Sequence, residues 1–141
     1  QLNKLIHENE VQDKVELKGM MLPEDMRLIA QEAALGLGLA EKEGLNQFHA
    51  LTNKFTDYMH AGLPQVAMNF PEYQKINSQF KVAILLDSLS VDLVVETINT
   101  TMTDKQLLNE LEQNAIKARK VYNWQNEGKI LVDFYRRIFN E

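Results

Sequence analysis

Two short stretches of this chain carry no polar side chain, and they restrict its fold more than any other feature. Residues 35–40 and 82–86 contain only aliphatic residues and glycine. Strands that are apolar on both faces are typical of parallel sheets covered by helices on each side. Two further strands are predicted: residues 65–68, and residues 15–18, which alternate apolar and polar side chains and then meet Gly19.

The segments between these strands have the periodicity of helices. Helices are predicted at residues 1–9, 23–34, 71–77, 91–102, 103–120 and 126–139, and another begins near Asn53. Thr103 and Gln106 have the spacing of a capping box, and Trp124 is expected to anchor a helix against the sheet. A polar loop is expected at 41–51. Strands alternating with helices predict an α/β fold, a Rossmann-like, doubly wound parallel sheet flanked by helices.

Composition narrows the class of function. The chain has 141 residues, 45% of them apolar, which fits one globular domain at 1–141. A net charge of −5 without a long basic cluster argues against a nucleic-acid partner. There is no cysteine, and no grouping of His, Asp and Glu has metal-ligand spacing, so no metal is expected. No apolar run approaches the ~20 residues that cross a bilayer, and a cytoplasmic domain is expected.

The stretch from Asn53 to Pro64 is the strongest indication of function. Asn53 and Lys54 stand where a helix begins, and free amides beside an ammonium form a generic anion site. Asp57 lies one turn further, where a carboxylate can accept hydrogen bonds from neighbouring sugar hydroxyls. The plainer alternatives are that Thr52 or Asn53 caps the helix and that Asp57 is an exposed acid stabilised by the helix dipole.

Ligands of open parallel sheets bind beyond the carboxyl ends of the strands. Residues 19–22, 41–57 and 69–72 are predicted to lie at that edge. After Gly19, the side chains of Met20 and Met21 could hold a flat heterocycle, or they could fill the core beneath the loop. His60 could share the face of Asp57, or it could simply stabilise the end of its helix.

Several segments resemble one enzyme family, in order along the chain. Residues 53–64 resemble the signature N-K-x-F-E-Y-M-x-A-G-x-P, and residues 15–19 resemble a V-x-F-x-G strand and turn. Residues 69–72 resemble d-x-P-E, and Asn114, Trp124 and Tyr135 fit the family's C-terminal pattern. The whole chain resembles the C-terminal, donor-binding domain of family-4-type glycosyltransferases with the GT-B fold. Since the chain begins at Gln1, we expect a piece of a longer protein that lacks the first strand and the N-terminal acceptor domain.

The resemblance implies transfer of a sugar from a nucleotide diphosphate sugar to an acceptor such as a growing polysaccharide, with no further cofactor. The implied site residues are Gly19, Met20 and Met21 near the base, Asp57 at the ribose, Thr52, Asn53 and Lys54 at the diphosphate, and Glu43, Asn46 and His49 nearer the sugar. His49 stands where the family has its first acid, and Asp57 is one methylene shorter than the usual Glu.

The resemblance assigns no catalytic residue, and it implies that this piece alone is inactive. A membrane contact of the longer enzyme, at the inner face of the membrane, would not involve this domain. Two alternatives remain at this point: half of a GT-B-like epimerase or phosphorylase, and a non-catalytic, flavodoxin-like nucleotide-binding module.

Overall fold

The protein is an α/β domain built on a three-stranded parallel sheet, which confirms the predicted fold class. The structure, a computed structural model, describes residues 1–139. The strands are Gly36–Gly38 (β1), Gln65–Met68 (β2) and Ala83–Leu86 (β3), in the order β1-β2-β3. In register, Leu37 pairs with Val66 and Val66 with Ile84. Every residue of the central strand β2 is buried, as expected for a sheet covered on both faces.

Helices flank this sheet. Their bounds are Leu2–Glu8 (α1), Pro23–Glu32 (α2), Gly44–His49 (α3), Asn53–Ala61 (α4), Pro71–Gln79 (α5), Val91–Thr103 (α6), Lys105–Ala118 (α7) and Trp124–Phe139 (α8). Helix α4 packs on both α2 and α7. Phe55 of α4 stacks on Tyr73 of α5, with ring centroids 4.3 Å apart and planes 8° from parallel. These contacts place α4 at the centre of the helical layer that carries the site.

Helix α4 ends where the sequence predicts. Gly62 adopts a left-handed conformation with φ 77°, and its amide hydrogen-bonds to the carbonyl of Met59. A glycine takes this conformation without steric cost, which is why helices so often end this way. Pro64 then leads directly into β2 and accepts a hydrogen bond from the amide of Gly36 at 2.8 Å.

The fourth predicted strand does not form. Residues 15–18 pair with no other strand, and Val15 and Leu17 remain 43% and 48% exposed. Alternation of apolar and polar residues is a local signal, whereas a strand needs a ladder partner. The sheet therefore has three strands within residues 1–139, with β1 and β3 at its two edges.

Three local predictions also need correction. The expected polar loop at 41–51 contains helix α3. Helix α7 is capped by Asp104, whose Oδ1 accepts from the amide of Leu107 at 2.9 Å, while Thr103 belongs to the end of α6. Trp124 is 72% exposed and anchors nothing against the sheet, because no residue of α8 is buried.

No helix of residues 1–139 is long and apolar enough to span a bilayer.

Candidate functional site

A cleft of about 550 Å³ opens between α2 and α4. Each of these helices leads into a strand of the sheet, α2 into β1 and α4 into β2, and the two strands run parallel. Both helices therefore begin at the carboxyl edge of the sheet, where open parallel sheets bind their ligands. The lining residues are Pro23, Met26, Arg27, Ala30, Asn53, Lys54, Asp57 and Tyr58.

The start of α4 is left without a capping side chain. Thr52 occupies the cap position, but its Oγ1 lies 2.8 Å from the hydroxyl of Tyr73 and not on a backbone amide of the helix. The first turn of α4 contains no acid, whereas the first turn of α2 carries Glu24 and Asp25. The positive end of the α4 dipole is thus not neutralised by its own sequence, and it adjoins the ammonium of Lys54. Such a helix start favours an anion.

Asp57 lies on the cleft side of α4, one turn after Asn53, and is half-buried. Its carboxylate forms no salt bridge within residues 1–139, so both oxygens are available as acceptors. The neighbouring Tyr58 is also half-buried. Burial raises the pKa of the Tyr58 phenol above its ordinary value, and the negative charge of Asp57 adds to the rise. Tyr58 therefore stays neutral near pH 7 and supplies a flat wall with one hydroxyl.

The ring of Tyr58 rests directly on the backbone of β1. A Cβ placed on Gly36 would lie 2.6 Å from Cδ2 and 2.8 Å from Cε2 of Tyr58. Only glycine allows the ring to lie this close to the strand. The glycine in β1 thus fixes the position of one wall of the cleft.

The predicted site residues fall into three groups. Asn53, Lys54 and Asp57 come together in the cleft, and Thr52 immediately precedes them. Met21 is half-buried and lines an adjoining groove of about 250 Å³, which shares Met26, Ala30 and Tyr58 with the cleft. The remaining predicted residues lie outside the cleft lining and are exposed: Gly19, Met20, Glu43, Asn46 and His49.

The loop and helix before α4 have contacts of their own. The ring of His49 packs edge-on against Phe48, with centroids 4.9 Å apart, and the ammonium of Lys42 lies 3.8 Å from the centre of the Phe48 ring. His60 turns away from the cleft, because its Nε2 hydrogen-bonds to the carbonyl of Tyr122 at 2.8 Å. His60 therefore does not join Asp57.

Sequence reasoning missed the wall that α2 contributes. Pro23, Met26, Arg27 and Ala30 are spaced at i, i+3, i+4 and i+7, so helical periodicity places them on one face. The sequence predicts a helix at 23–34, but it does not indicate which face of that helix meets α4. The periodicity contained the signal, but the partner of the face became visible only in the packing of α2 on α4.

A second polar group lies at the carboxyl ends of β2 and β3. Asn69 donates to Oδ1 of Asp87 at 2.7 Å and accepts from Gln74 at 2.8 Å. The network joins the two strand ends and uses the hydrogen-bonding groups of Asn69 internally. No three His, Asp or Glu side chains of residues 1–139 are grouped closely enough to hold a metal ion.

Comparison with known proteins gives a fold and no sequence family. No family model and no curated protein matches the chain. Among solved structures, the chain is similar to sucrose-phosphate synthase from Thermosynechococcus elongatus, a GT-B glycosyltransferase, with a TM-score of 0.77 and 18% sequence identity. The match covers 99% of this chain and 34% of the synthase. The chain thus has the fold of one half of a GT-B enzyme and spans about a third of the synthase's length.

Proposed function

We propose that this domain binds the nucleotide diphosphate sugar donor of a glycosyltransferase of the family-4 type. One observation carries the proposal: Asn53, Lys54 and Asp57 line a single cleft at the uncapped start of α4. The GT-B fold supports it, because ligands of such sheets bind at the edge where this cleft opens.

The donor would lie along the cleft with its parts in a fixed order. The diphosphate meets the first-turn amides of α4 and the ammonium of Lys54, which supply positive potential. The ribose lies one turn deeper, about 6 Å along the helix axis, where the carboxylate of Asp57 accepts from its two hydroxyls. The base lies against the apolar side chains of Met26 and Tyr58, or of Met21 in the adjoining groove.

The chemistry that this half supplies is stabilisation of the leaving group. When the bond from the sugar to the nucleotide diphosphate breaks, negative charge develops on the diphosphate, and fixed amide dipoles and Lys54 lower the energy of that charge. The acceptor and the remaining catalytic groups would come from an acceptor domain of a longer protein, which acts in the cytoplasm on a substrate such as a growing polysaccharide. The 141-residue chain alone would bind the donor and catalyse no transfer.

The first test is nucleotide binding and its dependence on Asp57. Amide NMR titration with UDP, GDP and ADP is expected to shift signals of α2 and α4. In Asp57→Ala the affinity for the bound nucleotide should fall about tenfold or more, because hydrogen bonds to a charged acceptor are lost. The matched control, Asp133→Ala, removes an exposed carboxylate from α8 and should bind as the wild type does.

A 2′-deoxynucleotide separates the ribose contact from an effect on folding. The wild type should bind the deoxy form more weakly than the ribose form, and Asp57→Ala should not distinguish the two. Equal affinity of Asp57→Ala and wild type for the ribose form would remove Asp57 from the site. Absence of binding by any of the three nucleotides would overturn the proposed function.

A further inference from the structure

Arg27 is the cation of the cleft that neither the sequence pattern nor the family resemblance assigns. It lies on α2, opposite Asn53, Lys54 and Asp57 of α4. Its guanidinium forms no salt bridge with any side chain of residues 1–139, although Glu24 and Asp25 precede it in the same helix. A guanidinium cannot be deprotonated in proteins, so Arg27 brings a permanent positive charge to the cleft wall.

The depth of Arg27 in the cleft follows from the two helix starts. Arg27 is four residues after Pro23, and Asp57 is four residues after Asn53, so each backbone lies about 6 Å along the axis from the start of its own helix. Side chains of a helix lean toward its N-terminus. The short carboxylate of Asp57 stays near its own depth, whereas the long side chain of Arg27 can span a full turn. Its guanidinium can therefore reach the level of the α4 start.

The charges of the cleft lining favour an anion at the level of the start of α4. Arg27 and Lys54 are the two cationic residues of the cleft lining, from opposite walls, and Asp57 is its one anionic residue. A neutral nucleoside would gain little binding free energy from two cations. A diphosphate gains from both, and a guanidinium can bind two phosphate oxygens through parallel N–H bonds.

We propose that Arg27 binds the diphosphate of the ligand from the α2 side, opposite Lys54 and the free amides of α4. This inference rests on the proposed function, and it adds Arg27 and the α2 side of the cleft to the groups that bind the ligand. The diphosphate is then held between two helices rather than at the end of one, and the affinity of the cleft depends on the packing of α2 against α4.

The test compares ligands with and without phosphate in Arg27→Gln and Arg27→Lys. Amide NMR titration with UDP and GDP, and with uridine and guanosine, measures the affinity of the complete 141-residue chain. Arg27→Gln should weaken binding of the diphosphates about tenfold, the loss of a charge-assisted contact, and leave nucleoside binding unchanged. Arg27→Lys should recover part of the loss. The matched control is Arg137→Gln on α8, which removes the same charge from an element that contributes nothing to the cleft lining.

A second measurement is the dependence of the affinity for UDP on salt concentration. This dependence would not change in Arg27→Gln if Arg27 had a purely structural role. Affinity of the wild type for UDP should fall more steeply with added NaCl than that of Arg27→Gln, since fewer ionic contacts leave less to screen. If Arg27→Gln weakens nucleosides and diphosphates equally, Arg27 contacts the base or ribose and the inference is wrong. Unchanged diphosphate affinity in Arg27→Gln, with Asp57→Ala still defective, would overturn this inference and leave the proposed function standing.

Discussion

The ring of Tyr58 packs so closely on Gly36 that position 36 has no room for a larger residue. In Gly36→Ala the new methyl group would overlap the Tyr58 ring, so the ring or β1 must move. Overpacking of this kind costs about 1–3 kcal/mol of unfolding free energy. Urea denaturation should show this loss in Gly36→Ala, and a much smaller one when the same change is made in a Tyr58→Ala background.

Gly38→Ala serves as the matched control within the same strand. A Cβ at Gly38 would meet the Cβ of Ala67 at 3.4 Å, an ordinary contact. A larger loss in Gly38→Ala than in Gly36→Ala would contradict the pairing of Gly36 with Tyr58.

Gln65 is a polar residue in the middle of the core. It is 0% exposed, its Nε2 donates to the carbonyl of Phe55 at 3.2 Å, and its Oε1 has no partner. A buried acceptor without a partner costs about 1–3 kcal/mol. Gln65→Met keeps the length of the side chain and removes the unpaired oxygen, so the unfolding free energy should rise by about 1 kcal/mol.

Gln65→Glu is the informative opposite change, because it buries a carboxylate and should destabilise strongly. Calorimetric melting of both variants gives the comparison. A lower melting temperature in Gln65→Met would mean that the amide contributes more than its one visible hydrogen bond indicates.

Among the helices, α7 begins directly after α6, and a single carboxylate, that of Asp104, caps its start. Asp104 accepts from the amide of Leu107, whereas the hydroxyl of Thr103 bonds back to the carbonyl of Asn99 within α6. Asp104→Ala should lower the unfolding free energy by about 1 kcal/mol, the usual cost of a lost N-cap. Thr103→Ala should change it by less than half of that, since its hydroxyl caps nothing. The reverse ranking in urea denaturation would restore the capping box at Thr103.

The sequence correctly predicts β2, β3 and the end of α4. The apolar run at 82–86 and the segment 65–68 become β3 and β2, and the glycine and proline at 62 and 64 mark the end of α4. Residues 15–18 have the alternation of a strand, but pairing depends on a distant partner that the segment itself does not specify. Helix α3 is missed because a short polar helix lacks a distinctive period.

The candidate site shows the same difference between residues that are close in sequence and residues that only packing brings together. Asn53, Lys54 and Asp57 belong to one helix, so spacing alone brings them together. Arg27 lies on a different helix, and only the packing of α2 on α4 reveals that it faces them. The exposure of Trp124 has a similar origin, because its burial would have required α8 to pack against the sheet.

Across the whole molecule, the outer side of β1 pairs with no other strand of residues 1–139. The amide of Gly36 is directed toward β2, so the backbone groups of Leu37, at the alternate position, are directed outward. An outward row of donors and acceptors is a template on which another chain can add a strand, and soluble proteins usually block it with charge or proline. Here the template is only three residues long and two of them are glycine. Very short strands are one of the ways in which sheet edges become poor templates for pairing, and β1 has this form.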